Sequence, residues 1–375
     1  MAQNQSSVPA SPQRFPLMAL ALTALLAGLW GGLLRIGWAW PVHPPLVMGH
    51  GPLMVCGFLG TLIGVERAVA LDRPWPWAAP ALAGLGTLVL LAGGVGWLGP
   101  LLFSLGSAVL TLIFFVPRRP LHAYSATMAL GAATWLVGNL LWLAGLPLWQ
   151  VALWWAMFLV FTIAGERLEL SRVLRLPPLA TRLFVGVVAV LLTGLAVSVV
   201  EYDLGVRLLG VGMMLLAGWL ARYDIARRTV RMTGLTRYIA AALLSGYVWL
   251  AVGGALAVVV GGMPAGPLYD ATLHAVFVGF VLSMIFGHAP IIFPSVLRTP
   301  LVYTPWFYAP LVLLNASLLL RIAADLGGWF EARRVGGLLN EVALLLFLGM
   351  LAWSALRGRR TRLATGAPRP QPSQS

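Results

Sequence analysis

The chain alternates long apolar runs with short polar connections along almost its whole length. Runs of about twenty apolar residues bounded by proline, glycine or charge are typical of transmembrane helices. Twelve such runs lie at 16–38, 45–70, 76–97, 99–117, 121–145, 148–168, 180–200, 204–222, 237–262, 268–293, 304–327 and 335–356. The pattern predicts an all-α polytopic membrane protein of about twelve transmembrane helices.

Composition agrees with this pattern. The chain is 60% hydrophobic and 10% charged, whereas about 25% of the residues of soluble domains are charged. The polar start lacks the positive-then-apolar layout of a signal peptide, so we expect the first run to be retained. We expect a cytoplasmic N-terminal tail at 1–15, one transmembrane domain at 16–357 and a disordered cytoplasmic tail at 358–375.

The basic residues test the helix count, because positive charge concentrates in cytoplasmic loops. All 25 are arginines. Twelve helices with a cytoplasmic N-terminus leave five arginines outside: Arg35, Arg207, Arg321, Arg333 and Arg334. The other twenty face the cytoplasm, so both termini are predicted to be cytoplasmic, in a multi-pass protein of a bacterial inner membrane. The excess of basic residues, which gives the chain a net charge of +14, then lies beside the anionic lipids of the cytoplasmic leaflet. We therefore expect the lipid bilayer as a partner and no nucleic acid.

A weak internal similarity links three helices. The segment from Gly57 to Arg67 aligns with that from Gly279 to His288, and the sixth helix ends on a further Glu-Arg pair, Glu166-Arg167. These are the second, sixth and tenth helices. The spacing is consistent with three pseudo-repeats of four helices.

Two histidines stand at matching depth near the predicted outer face. His50 and His274 each lie about one turn inside the outer end of their helix. Intramembrane histidines are costly and frequently functional, and two facing imidazoles can bind both axial positions of a haem iron or contribute to a copper or zinc site. Arg35, Arg207 or Arg321 could pair with haem propionates. Alternatively, each histidine only hydrogen-bonds a neighbouring carbonyl or a carboxylate such as Asp270.

Polar residues near the cytoplasmic helix ends form a second group: His288, His122, Glu66, Arg67, Glu166 and Arg167. His288, with Glu66 or His122, could bind a metal or pass protons. The alternative is interfacial ion pairing, in which Glu66 pairs with Arg67 or Arg73, and Glu166 with Arg167 or Arg172.

The remaining intramembrane polar residues favour structural roles. Arg321 and Glu341 come at similar depth in the last two helices and predict a salt bridge. Asn139, Asn315 and Asn340 are compatible with interhelical hydrogen bonds. The lone cysteine, Cys56, is interpreted as a small core residue.

The histidine motifs resemble those of a known family. His50 stands in Met-Gly-His50-Gly-Pro-Leu, and His274 and His288 bracket the tenth helix. With twelve helices, this is similar to the NnrS family of haem- and copper-containing membrane proteins linked to nitric oxide metabolism, and more distantly to haem-copper oxidase subunit I. The resemblance implies haem, copper and a gaseous ligand such as nitric oxide. The sixth and seventh helices carry no histidine, so an oxidase-type copper centre is not expected.

These observations leave three classes of function open. The leading hypothesis is a haem- or metal-binding membrane protein in nitric oxide or respiratory redox metabolism, with His50 and His274 as ligands. The second is a secondary transporter without a cofactor, because twelve spans and broken helices suit such proteins. The third is a membrane assembly factor or subunit with no chemistry of its own.

Overall fold

The structure is a computed structural model that describes residues 13–94, 96–116, 122–174, 176–297 and 301–365. Helices occur at all twelve predicted positions, and the described residues contain no strand. We number the helices α1 Arg14–Arg35, α2 Pro44–Leu71, α3 Trp75–Leu91, α4 Leu98–Ile113, α5 Ala123–Leu143, α6 Leu148–Leu170, α7 Pro178–Val200, α8 Tyr202–Tyr223, α9 Gly234–Val260, α10 Pro267–Pro294, α11 Pro305–Gly327 and α12 Phe330–Thr365. The prediction of an all-α polytopic membrane protein is confirmed.

Ten of the described helices are long and apolar enough to cross a membrane, and α3 and α4 are shorter. α4 has 16 residues, about 24 Å at 1.5 Å per residue, which is less than a hydrocarbon layer of about 30 Å. The predicted third run, to residue 97, was too long. The helix stops earlier because Gly93 adopts a positive φ of 64°, a conformation that ends helices.

Both chain ends differ from the predicted boundaries. α1 begins at Arg14, inside the expected tail 1–15. α12 continues to Thr365, so the expected disordered tail is wrong for 358–365. Arginine is a good helix former, and positive charge at a helix C-terminus is favourable, so a charged segment can continue an apolar helix. The rest of the two predicted tails, 1–12 and 366–375, lies outside the described residues.

Sequential helices pack as neighbours, and α1 also contacts α12. α6 is the most enclosed long helix, with 78% of its apolar stretch buried, against 39% for α7 and for α12. It contacts α5, α7, α8 and α10. A helix that is apolar on every side requires such a central position.

Two helices contain a π-helical segment. It covers Leu53–Gly60 in α2 and Ala275–Leu282 in α10. π segments are rare and frequently occur at functional sites. When Gly57 is aligned with Gly279, as the sequence similarity suggests, the two segments coincide. This coincidence supports a structural relation between α2 and α10, whereas α6 is α-helical throughout.

Candidate functional site

His50 and His274 come together, as predicted, from the beginnings of α2 and α10. Their ring centroids are 6.3 Å apart, and the ring planes are inclined by 17°. Each histidine lies within three residues of the π segment of its helix. The two imidazoles are therefore near-parallel neighbours held by two different helices. We call them the histidine pair.

Backbone carbonyls orient both rings. His50 Nδ1 lies 2.7 Å from the carbonyl oxygen of Gly28 on α1. His274 Nδ1 lies 2.9 Å from the carbonyl oxygen of Asp270 and 3.2 Å from its Oδ1. A carbonyl oxygen only accepts, so Nδ1 donates in both rings, and in a neutral imidazole the lone pair is then on Nε2. Metal-binding histidines commonly show this second hydrogen bond.

Glycines of α1 leave room for the His50 ring. A Cβ on Gly32 would lie 2.9 Å from His50 Cε1 and 3.0 Å from Nδ1, and one on Gly28 would lie 2.8 Å from Met54 Sδ. All three distances are shorter than normal van der Waals contacts. The absence of side chains at these two positions allows α2 to approach α1 closely enough for the Gly28–His50 bond.

Asp270 links the histidine pair to α11 and α12. Arg321 donates to both of its oxygens, at 2.9 and 3.0 Å, and Arg333 Nη2 lies 3.6 Å from Oδ1. Arg333 also pairs with the buried Asp325, at 2.7 Å. The predicted Arg321–Glu341 salt bridge is wrong, because the α11 face that carries Arg321 is turned toward α10. Glu341 Oε1 instead lies near Gly32.

The three arginines considered as propionate partners differ in availability. Arg321 is committed to Asp270. Arg207 donates to Asp203 on its own helix and to the carbonyl of Val258. Arg35 is exposed and donates only to the carbonyl of Val47 among the described residues, at 3.3 Å. Arg35 is thus the least committed of the three, and Arg321 acts on His274 through Asp270.

A cavity of about 100 Å³ lies at the other end of the helices, between α1, α2, α6 and α10. Its walls are apolar except for Glu66, Glu166, His288 and Thr162, whose hydroxyl donates to the carbonyl of Phe158. Glu66, Glu166 and His288 occupy equivalent positions in the alignment of the second, sixth and tenth helices. We call this space the acidic cavity. The weak sequence similarity thus corresponds to one location in the structure.

Ion pairs surround the acidic cavity, with partners that differ in part from the prediction. Arg67 Nη2 lies 3.7 Å from Glu66 Oε1, as expected, but 2.5 Å from Glu166 Oε1. Arg167 does not pair with Glu166. It donates instead to both oxygens of the buried Asp224, at 2.8 and 3.0 Å. The pairing crosses between helices because the side chains of consecutive residues point in different directions.

His288 has a partner at each ring nitrogen. Nδ1 lies 2.7 Å from the Met284 carbonyl oxygen, so it donates, and Nε2 lies 3.3 Å from Arg167 Nη1, so it accepts. His122 is exposed and stacks on Tyr124, at a centroid distance of 5.3 Å. The structure therefore brings His288 near Glu66 but leaves His122 apart. Among the described residues, no group of three His, Cys, Asp or Glu side chains could hold a metal ion.

Asparagine side chains connect helices, as predicted. Asn139 on α5 accepts from Trp155 Nε1 at 2.9 Å and donates to Ser107 Oγ at 3.2 Å. Asn315 accepts from Trp249 Nε1 on α9, and Asn340 donates to Ser317 Oγ on α11. Cys56 is buried in the same core and accepts from Trp135 Nε1. These hydrogen bonds join neighbouring helices and serve the fold, although the buried Oδ1 of Asn340 has no partner among the described residues.

Two features of the structure, the role of Asp270 and the Arg167–Asp224 pair, were not predicted from the sequence. Asp270 was considered only as a neighbour of His274, although its spacing of four residues puts both on one helix face. The Arg167–Asp224 pair was missed, because the two residues are 57 positions apart. The repeated Glu-Arg dipeptide was the one signal that pointed to the acidic cavity.

A comparison with known protein families places the chain in one of them. The model of a family described as a domain of unknown function, DUF8744, matches residues 14–356. The match covers α1 to α11 and most of α12, so the chain belongs to this family. No curated protein matches the chain.

Proposed function

We propose that this DUF8744 protein is an integral membrane haem protein in which His50 and His274 would hold the haem iron. The observation that carries the proposal is the ring separation of 6.3 Å. The two rings are near-parallel, inclined by 17°, and come from separate helices. Because Nδ1 of each ring donates to a carbonyl oxygen, Nε2 of each would be the atom that binds the iron.

The number of ligands favours haem over a metal ion bound by protein alone. A porphyrin supplies four nitrogens, so two histidines complete the coordination of its iron. A copper or zinc ion needs three or four protein ligands, and the described residues contain no such group. Metal analysis of the purified protein distinguishes iron from copper at this pair.

Three residues of this chain would orient the two histidines for binding the haem iron. The Gly28 carbonyl orients His50, and Asp270, whose backbone carbonyl accepts from Nδ1 of His274 and whose carboxylate lies 3.2 Å from it, orients the second ring. Arg321 fixes that carboxylate. Haem bound by two histidines supplies one-electron transfer. We infer a role in respiratory or nitric oxide redox metabolism, for which the support is the resemblance of the histidine motifs to the NnrS family.

An optical spectrum of the purified full-length protein tests the proposal. We expect a Soret band, a shift on reduction with dithionite, and one haem per chain by pyridine haemochrome. His50→Ala and His274→Ala should each abolish the low-spin spectrum. His43→Ala is the matched control, because His43 is exposed and bonds only the Leu91 carbonyl among the described residues. The proposal would be refuted by purified protein that contains no haem although a haem precursor was added during expression.

A secondary transporter is the second candidate, and the acidic cavity favours it. Two half-buried glutamates and a histidine meet between helices of which two contain π segments, and broken helices line the substrate sites of many transporters. The ligand class would be a proton or a small cation. This function would be favoured over the first by two results together. The purified protein would carry no chromophore, and its proteoliposomes would take up a cation in an assay in which the Glu66→Gln variant is inactive.

A further inference from the structure

A second and larger pocket, of about 470 Å³, opens at the same end of the helices as the acidic cavity. It lies between the α6–α7 connection and the α8–α9 connection, which includes a short helix at Ala226–Thr229. Its volume is within the range of about 300–1,000 Å³ that is typical of small-molecule sites. We call it the arginine pocket, because four arginines line it: Arg222, Arg227, Arg228 and Arg231.

The four arginines lack carboxylate partners among the described residues. Arg227 Nη1 donates to the backbone carbonyl of Arg222, at 3.4 Å, and the Arg222 guanidinium lies 5.2 Å from the centre of the Tyr223 ring. Neither contact neutralises charge. Four positive charges on one short segment repel one another, so a bound anion would stabilise the arrangement.

The carboxylate among the described lining residues, that of Asp224, is already neutralised. Asp224 receives two hydrogen bonds from Arg167 and one from the backbone N–H of Ala226, at 2.6 Å, and its side chain is 1% exposed. Its charge is thus compensated from the protein interior, so it does not compensate the four arginines that face the opening.

We propose that the arginine pocket binds a phosphate-bearing anion. The planar guanidinium group matches phosphate with two parallel hydrogen bonds, and several arginines on one segment suit a ligand with more than one negative oxygen. This chemistry has two sources, the headgroup of an anionic phospholipid or a soluble phosphate compound. The arginine distribution predicts that the pocket faces the cytoplasmic leaflet, where anionic lipids concentrate.

Binding assays on the detergent-purified full-length protein distinguish the two sources. Dihexanoyl phosphatidic acid and inorganic pyrophosphate are the probes, and dihexanoyl phosphatidylcholine is the zwitterionic comparison. Binding of phosphatidic acid but not pyrophosphate identifies a lipid site, and binding of both, with competition, identifies a site for soluble phosphates. Either result supports the proposal.

The double variant Arg228→Gln/Arg231→Gln tests the location. A contribution of about 1 kcal/mol per arginine corresponds to an affinity loss of about thirty-fold for the pair. Arg237→Gln is the control, because Arg237 is an exposed arginine at the same end, on α9, and lies outside the pocket. An equal loss in the control, or no binding of either probe by wild-type protein, overturns the proposal. Unchanged elution and melting temperature without probe establish that the variants are folded.

Discussion

The carboxylate of Asp270 and the guanidinium of Arg321 face each other with two parallel hydrogen bonds, at 2.9 and 3.0 Å. The pair joins α10 to α11, and both side chains are mostly buried, with 14% and 9% of their surface exposed. Because His274 Nδ1 also lies 3.2 Å from this carboxylate, one ion pair both connects helices and orients a member of the histidine pair.

Asp270→Asn should destabilise the protein and weaken cofactor binding together. The neutral amide leaves the positive charge of Arg321 uncompensated in a largely buried position, at a cost of about 3 kcal/mol. Loss of a residue that orients a metal-binding histidine weakens metal binding by about 10–100-fold. Thermal unfolding and haem titration measure the two effects. Asp203→Asn, in an exposed pair with Arg207, is the control and should change neither quantity. A wild-type melting temperature for Asp270→Asn would contradict the assigned role.

Gly32→Ala should disturb the histidine pair with little effect on the rest of the fold. The added Cβ would lie 2.9 Å from His50 Cε1, so the imidazole must move and lose its alignment with His274. We expect reduced haem content and an altered spectrum at normal expression. Gly218→Ala makes the same change where no atom lies within 4 Å and should keep the wild-type spectrum. Equal spectra for both variants would show that His50 is not held against Gly32.

Arg167 and Asp224 should show strong energetic coupling. Their side chains are 3% and 1% exposed, and removal of one partner leaves a buried charge at a cost of about 3–5 kcal/mol. Arg167→Gln and Asp224→Asn should each lower the melting temperature, and the double variant should recover much of the loss. A double-mutant cycle of unfolding free energies measures the coupling. Additive losses would mean that the two residues act independently.

Cysteine labelling tests the predicted orientation. Cys56 is fully buried, so a maleimide that does not cross membranes should leave the native protein unlabelled. Val42, 70% exposed between α1 and α2, and Trp306, 74% exposed at the start of α11, lie on predicted opposite sides. Val42→Cys should be labelled in intact spheroplasts, and Trp306→Cys only after permeabilisation. The reverse pattern would show that the positive-inside assignment is inverted.

Prediction from sequence succeeded for properties that depend on one helix at a time. The twelve helix positions follow from the length of apolar runs, and counting helices put His50 and His274 at one end and Glu66 and His288 at the other. Prediction failed for contacts that depend on the orientation of a helix about its own axis. Arg321 was assigned to Glu341 because the two have similar depth, but depth does not specify which face of α11 meets α10.

The sequence by itself determined that this chain is a bundle of apolar helices, because the cost of exposing backbone groups to lipid leaves no alternative for such long apolar runs. Only the tertiary structure decided that the two outer imidazoles stand 6.3 Å apart, that Glu166 meets Arg67, and that the segment with the four arginines forms a pocket with the α6–α7 connection. These relations depend on packing between segments far apart in the chain, where the rotation and separation of each helix are set by all its neighbours together.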